Sequence, residues 1–413
     1  MKRPFYGWGV VGVCSVVAFC TGPGQTQVFS VFIDPLIEDL GISRTLISAL
    51  YMAGTAASAA TVLGIGRLTD RFGGRRMLIA VALAFGLACL GMAAVRGPVT
   101  LALSFAALRA LGQGSLSIIA NLLVAQWFVR YRGRAVAIVW LGLSAASATL
   151  PPLALLLIDL GGWRRTYALL GLMVWVLIIP ATLLVVRNRP EDLGLYPDGA
   201  RTPPATERES ESRGDALHPT HTARRVLRSG QFWRLAISLA APAFVLTALL
   251  FHQTSIFAGQ GLSAEVAAGV FPAFAVTAAG ANTLAGILAD RFGPKPVFLL
   301  TLGFLITAML LVQVIATPLA ALAYACILGT GSGMNYVVFG VIWAHYYGRQ
   351  ELGAVQGPAT MVMTSGAAIA PLPLAVLYQL FGSYGPALTL LAVIPVICAL
   401  VVATFKPAPA YPE

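Results

Sequence analysis

The sequence predicts an all-α polytopic membrane protein with twelve transmembrane helices in two pseudo-symmetric six-helix bundles. Three observations predict it: a composition too apolar for water, uncharged runs long enough to cross a bilayer, and a motif that returns after 220 residues.

Of the 413 residues, 58% are hydrophobic and 10% charged, with a mean hydropathy of +0.82. Soluble domains carry roughly 25% charged residues, so a soluble fold of this length has no place to hide such a chain. The charges are clustered. Trp8–Ile33, Ala135–Ile158 and Val266–Ala289 hold none, nor do Pro296–Gly348 and Leu352–Phe405. A spanning helix needs about 20 apolar residues, so each of the last two runs holds two helices. They divide at Ala316-Thr317-Pro318 and at Phe381-Gly382-Ser383-Tyr384-Gly385-Pro386. Only closed hydrogen-bonded structures cross lipid. Runs this apolar read as helices over 8–33, 46–66, 77–95, 99–128, 135–159, 166–186, 235–258, 266–289, 297–315, 319–343, 353–379 and 386–405. The first of these follows Lys2 and Arg3 as a signal peptide would. It is too long for one and has no small-residue cleavage site, so it reads as a retained span.

Positive charge sets the orientation. With the N-terminus inside, the inner segments carry Lys2, Arg3, Arg67, Arg71, Arg75, Arg76, Arg130, Arg132, Arg134, the 187–234 cluster, Arg291, Lys295, Arg349 and Lys406. The outer segments carry only Arg44, Arg96, Arg164 and Arg165. The formal net charge of +11 is thus topology and contact with anionic lipid. No basic face stands apart from the membrane to serve nucleic acid. The five cysteines all fall in predicted spans without paired spacing, which supports neither a disulfide framework nor a metal site.

Arg201–Arg225 is rich in Thr, Pro, Glu, Ser and Arg and reads as a solvated linker. The expected organisation is a bundle over 1–186, a cytoplasmic linker over 187–234, a second bundle over 235–405 and a cytoplasmic tail over 406–413. The halves repeat. Gly66-Arg67-Leu68-Thr69-Asp70-Arg71-Phe72-Gly73 returns as Gly286-Ile287-Leu288-Ala289-Asp290-Arg291-Phe292-Gly293. Gly112-Gln113-Gly114 returns as Gly331-Ser332-Gly333, and Pro152 as Pro371. Parallel duplication of this kind places a substrate site between the halves, near the bilayer midplane.

With these motifs the chain resembles the major facilitator superfamily along nearly its whole length. The signature loop between spans 2 and 3 stands as Gly66-x-Leu68-x-Asp70-Arg71-x-Gly73-Gly74-Arg75-Arg76, and the span-4 signature as Arg109-x-x-Gly112-x-Gly114. A narrower likeness, to the monocarboxylate porter and oxalate:formate antiporter branch, lies in Phe5-Tyr6-Gly7-Trp8, Leu40-Gly41-Ile42-Ser43-Arg44-Thr45, the segment Arg189–Gly199 and Tyr346-Tyr347-Gly348-Arg349. The resemblance implies a secondary transporter without cofactor. It would sit as a multi-pass monomer in the bacterial inner membrane, with both termini cytoplasmic, and move a small organic anion together with protons. In the signature loop, Gly66 is expected to let two helices approach. Asp70 can pair with arginines or cap a helix. Asp70, Arg71, Arg75, Asp290 and Arg291 thus form either an inner gate latch or a static staple.

Ionisable residues at membrane depth are costly and each is a functional candidate. Arg109 is the strongly charged one. Arg109, Gln113, Ser117 and Asn121 recur every four residues and predict one polar helix face. Arg109 is open to direct carboxylate contact, to proton coupling or to a structural role, and Asn121 to a cavity or to helix–helix bonding. His252, the deep histidine, is open to proton or substrate binding and to a structural hydrogen bond. Asn335 and Tyr336 follow the glycines of span 10. In span 1, Gly22-Pro23-Gly24-Gln25-Thr26-Gln27 predicts a loosened helix, either a simple kink or a solute-facing break. Aligning the Asp290 loop puts Asn282 where monocarboxylate porters place an arginine in span 8. That replacement also admits a neutral or amphipathic solute, carried outward. No Gly-Lys-Ser/Thr phosphate loop is present. A deep acid to complete a catalytic constellation is missing too, so an enzyme is not expected.

Overall fold

The computed structural model describes residues 5–128, 131–199, 226–347 and 352–404, and they are helical almost throughout. Ten segments among them are long and apolar enough to cross a membrane. One of these, Arg134–Val185, is two spans joined at Gly162, whose φ of 78° turns the chain. The helix Arg44–Phe72 completes the predicted twelve.

Two compact units form. The first comprises 1–42 and 53–216, and the second 43–52 and 217–413. In the first unit, span 1 runs from Gly7 to Leu40 in pieces, span 3 is Gly74–Ala93, and span 4 is Pro98–Leu108 continued through 109–116 to Ser117–Trp127. In the second, span 7 is Gly230–Gly259, span 8 is Ala264–Gly269 plus Phe271–Phe292, and span 9 is Pro294–Leu311. Span 10 is Pro318–Tyr347, span 11 is Leu352–Ile369 plus Pro371–Phe381, and span 12 is Tyr384–Thr404. Proline opens four of these helices, at Pro98, Pro294, Pro318 and Pro371, where the missing N–H costs nothing.

The sequence repeat extends to the turns. Gly41, Gly73 and Gly162 have positive φ, and so do Gly261, Gly293 and Gly382, each 220 residues further on. The helix-opening prolines Pro98 and Pro318 keep the same offset. Duplication therefore fixed backbone geometry as well as residue identity.

Within each unit small residues bring helices together, as expected where lipid supplies no hydrophobic drive between them. In the first unit a Cβ on Gly54 of span 2 would lie 2.8 Å from the Phe105 Cβ and 2.9 Å from the Ala106 nitrogen. Gly66, expected to be the point of close approach, has no heavy atom within 4 Å of such a Cβ. The contact is made three turns earlier, where span 4 is nearest. In the second unit Gly333 lies against the Ala278 carbonyl, and Gly329 against Phe274 and Thr277.

Candidate functional site

Span 1 breaks where its sequence is poorest in helix formers. Gly7–Cys20 ends in a 3-10 turn over Gly22–Gly24, and Gln25 is extended (φ −91°, ψ 147°) before helix resumes at Thr26. Proline 23 and its flanking glycines supply the loosening. The break is seated tightly on span 4, since a Cβ on Gly24 would lie 2.6 Å from the Leu108 carbonyl oxygen. Only glycine fits there.

Directly after Leu108, span 4 becomes π-helical over Arg109–Leu116. Its i→i+5 pattern suits the Ser115 hydroxyl, which donates to the Ala110 carbonyl at 2.7 Å. Arg109 begins this segment and is buried. Its Nη1 donates to the Gly24 carbonyl (3.2 Å) and stands 3.5 Å from the Thr26 hydroxyl. A guanidinium therefore caps the unwound backbone of span 1. The Gln25 amide bonds to Thr21 at 3.2 Å.

Exposure varies along the expected polar stripe. Arg109 is buried against span 1, Gln113 is exposed, and Ser117 and Asn121 are half-buried.

In the second unit His252 is fully buried. Its Nε2 lies 2.9 Å from the Pro371 carbonyl, where span 11 restarts, and its Nδ1 lies 3.4 Å from the Tyr384 hydroxyl of span 12. A carbonyl only accepts, so Nε2 carries the proton. In the neutral ring, Nδ1 then accepts from Tyr384. Tyr384 in turn stacks on Tyr378 (ring centroids 4.3 Å apart). One imidazole thus joins spans 7, 11 and 12.

One turn along span 7, Ser255 receives a hydrogen bond from Arg44. Thr45 donates to the Gln379 side chain at 2.8 Å, and Tyr51 packs on Phe251 at 4.7 Å. The stretch 43–52 reaches the second unit through these contacts. Neither Arg44 nor Tyr51 is an intramembrane charge by sequence, and reasoning from depth alone missed both.

The remaining candidates are spread out. Asn282 is exposed on span 8. Asn335 is buried with its Oδ1 unbonded among the described residues, whereas Tyr336 is 59% exposed, so the two neighbours part company. Of the loop residues, Arg71 lies over Phe72 and Arg291 over Phe292, each 5.3 Å from the ring centroid. Arg75 donates to the Leu183 carbonyl at 2.6 Å. The side chains of Asp70 and Asp290 lie outside the described residues.

A family model described as Major Facilitator Superfamily matches residues 14–282 and 253–413. A gallate transporter of Pseudomonas putida is 25% identical over 431 residues, covering 95% of this chain and 93% of that one. Monocarboxylate transporter 11 of Mus musculus is 29% identical over 391 residues, covering 89% and 80%. The 4-hydroxybenzoate transporter PcaK of Pseudomonas aeruginosa is 30% identical over 194 residues. That match spans 45% of this chain and only 43% of PcaK. Among solved structures, a bacterial homolog of the human lysosomal transporter Spinster aligns with a TM-score of 0.75 at 15% identity over 99% of this chain and 100% of that one. At that identity the likeness is one of fold.

Proposed function

Because the chain belongs to the Major Facilitator Superfamily, we propose that it carries a small organic anion, a monocarboxylate, together with a proton. The family and its relatives are transporters, which makes this chain a membrane transporter and not an enzyme. The finer reading rests above all on Arg109, a buried guanidinium held at the broken backbone of span 1. A carboxylate arriving there meets a cation whose geometry suits paired hydrogen bonds. The unwound segment offers further backbone groups, as discontinuous helices do in transporters. The names of the bacterial relatives point the same way, since gallate and 4-hydroxybenzoate are both hydroxylated aromatic carboxylates.

His252 is the proposed proton carrier. Taking up a proton on Nδ1 turns Tyr384 from donor to acceptor without moving a heavy atom, so the imidazole can load and unload where it stands. Asn121, Asn282, Asn335 and Tyr336 are the proposed neutral contacts. Residues 1–186 and 235–405 would rock about the site, with Arg71, Arg75 and Arg291 at the inner gate. The protein would act as a monomer in the bacterial inner membrane, both termini in the cytoplasm.

A second reading follows from Asn282, exposed and uncharged where the monocarboxylate branch places an arginine. It is export of a neutral or amphipathic metabolite.

Thermal unfolding of the purified protein against carboxylates, neutral metabolites and hydrophobic drugs at two pH values separates the readings. A ligand at 100 times its Kd stabilises the native state by about 2.7 kcal/mol. The proposal expects a carboxylate to raise the midpoint, more at low pH, with that pH dependence lost in His252→Gln. Stabilisation by neutral compounds alone overturns it in favour of export.

A further inference from the structure

We propose that the arginine-rich end of the first unit binds the phosphate headgroup of an anionic phospholipid. A cavity of 680 Å³ lies there, where span 2 turns into span 3 and span 6 ends. Gly73 makes the turn with a φ of +84°, and Asn188 closes it by accepting the Arg75 backbone N–H at 2.9 Å. The segment 188–192 is thereby fixed against the start of span 3.

Among the described residues the wall carries four guanidinium groups, from Arg71, Arg75, Arg76 and Arg189, and one carboxylate, Asp192. That carboxylate accepts the Arg189 backbone N–H at 3.1 Å. Arg75 is engaged by the Leu183 carbonyl, while Arg71, Arg76 and Arg189 extend into an exposed rim. The other wall is apolar. Phe72 is 45% exposed and Leu183 49%, at the last turns of spanning helices. A ligand fitting both walls has an anionic head and a hydrocarbon body, as an anionic phospholipid does.

The duplicated fold supplies an internal control. The second unit builds the same turn at Gly293, and Lys295 reaches the Ala403 carbonyl at 2.9 Å, so the fold needs one cation at that place. Where the first unit adds Arg76, the second has Pro296, and where the first has Arg189 the same offset gives Pro409, the segment 405–413 holding a single cation, Lys406. The extra charge of the first unit is therefore not a requirement of the turn. It is available to a ligand, whatever solute the protein carries.

The test measures lipid retention by the full-length protein, using native mass spectrometry in mixtures of phosphatidylglycerol and phosphatidylcholine. The Arg76→Gln/Arg189→Gln double variant is compared with Arg228→Gln/Arg234→Gln, an equal loss of charge at exposed positions outside the cavity. The preference for phosphatidylglycerol is expected to fall about tenfold in the first pair and to hold in the second, with Arg76→Lys/Arg189→Lys restoring most of it. An equal fall in both pairs means diffuse attraction and overturns the site. Displacement of the lipid by free glycerol phosphate at similar concentration makes the occupant a soluble anion and overturns the lipid assignment.

Discussion

Lys295 makes in the second unit the contact that Arg75 makes in the first. Each cation stands second in the helix that opens its third span and donates to a carbonyl at the end of the sixth, Leu183 for Arg75 and Ala403 for Lys295. Donors and acceptors keep one offset of 220 residues, from 75 to 295 and from 183 to 403. A cation at a helix C-terminus satisfies an orphan carbonyl and meets the negative end of the helix dipole. Arg75→Ala and Lys295→Ala are each expected to lower stability by about 1 kcal/mol. The two contacts share no partner, so the effects should add within about 0.5 kcal/mol in chemical unfolding of the double variant. A larger coupling would mean that the contacts are not independent staples.

Arg109→Lys keeps the charge and loses the planar fork. It is expected to fold, because one N–H still reaches the Gly24 carbonyl, and to cut carboxylate uptake by about tenfold or more. Uptake at the wild-type rate in proteoliposomes would remove Arg109 from the substrate site and leave it a helix cap.

Gly24→Ala places a methyl group against the Leu108 carbonyl, and Gly333→Ala against that of Ala278. Backbone cannot move aside as a side chain can, so each should cost about 1–3 kcal/mol by overpacking. Gly66→Ala, in open space, should be close to neutral and serves as the control in the same melt.

Asn282→Arg tests the replacement in span 8. The side chain is exposed, so the fold should accept it. If the cargo is anionic, carboxylate affinity by ligand-induced stabilisation should rise about tenfold, or about 1.4 kcal/mol. Unchanged or weakened binding would favour a neutral cargo.

Tyr384→Phe keeps the ring stacked on Tyr378 and removes the bond to His252. A cost near 1 kcal/mol is expected. His252→Ala also strands the Pro371 carbonyl and opens a cavity, so about 2–4 kcal/mol should be lost. Equal midpoints for the two variants would show that the imidazole is not the tie between spans 7, 11 and 12.

The spans were readable because charge is so costly in lipid that its absence marks them, as between Pro296 and Gly348. The break in span 1 was readable from Gly22-Pro23-Gly24, but its partner was not, because Arg109 lies 85 residues away along the chain. The π segment over Arg109–Leu116 left no mark in residue type. His252 was found by its depth, yet its acceptor is a backbone carbonyl, which no side-chain pattern encodes. The turns Gly41-Ile42-Ser43 and Gly261-Leu262-Ser263 carried the repeat in plain sight. They are uncharged at these positions, so charge patterning does not mark them.

The attachment of 43–52 to the second unit has a bearing on biogenesis. Arg44 waits for Ser255, 211 residues later, and Thr45 for Gln379, 334 residues later. At translation rates of 5–20 residues per second, that interval is about 10–70 s. Throughout it, a nascent chain already threaded into the bilayer holds the beginning of its second helix without its final neighbours. In this structure, therefore, the start of the second helix takes its last partner from the eleventh span, one of the last to be made.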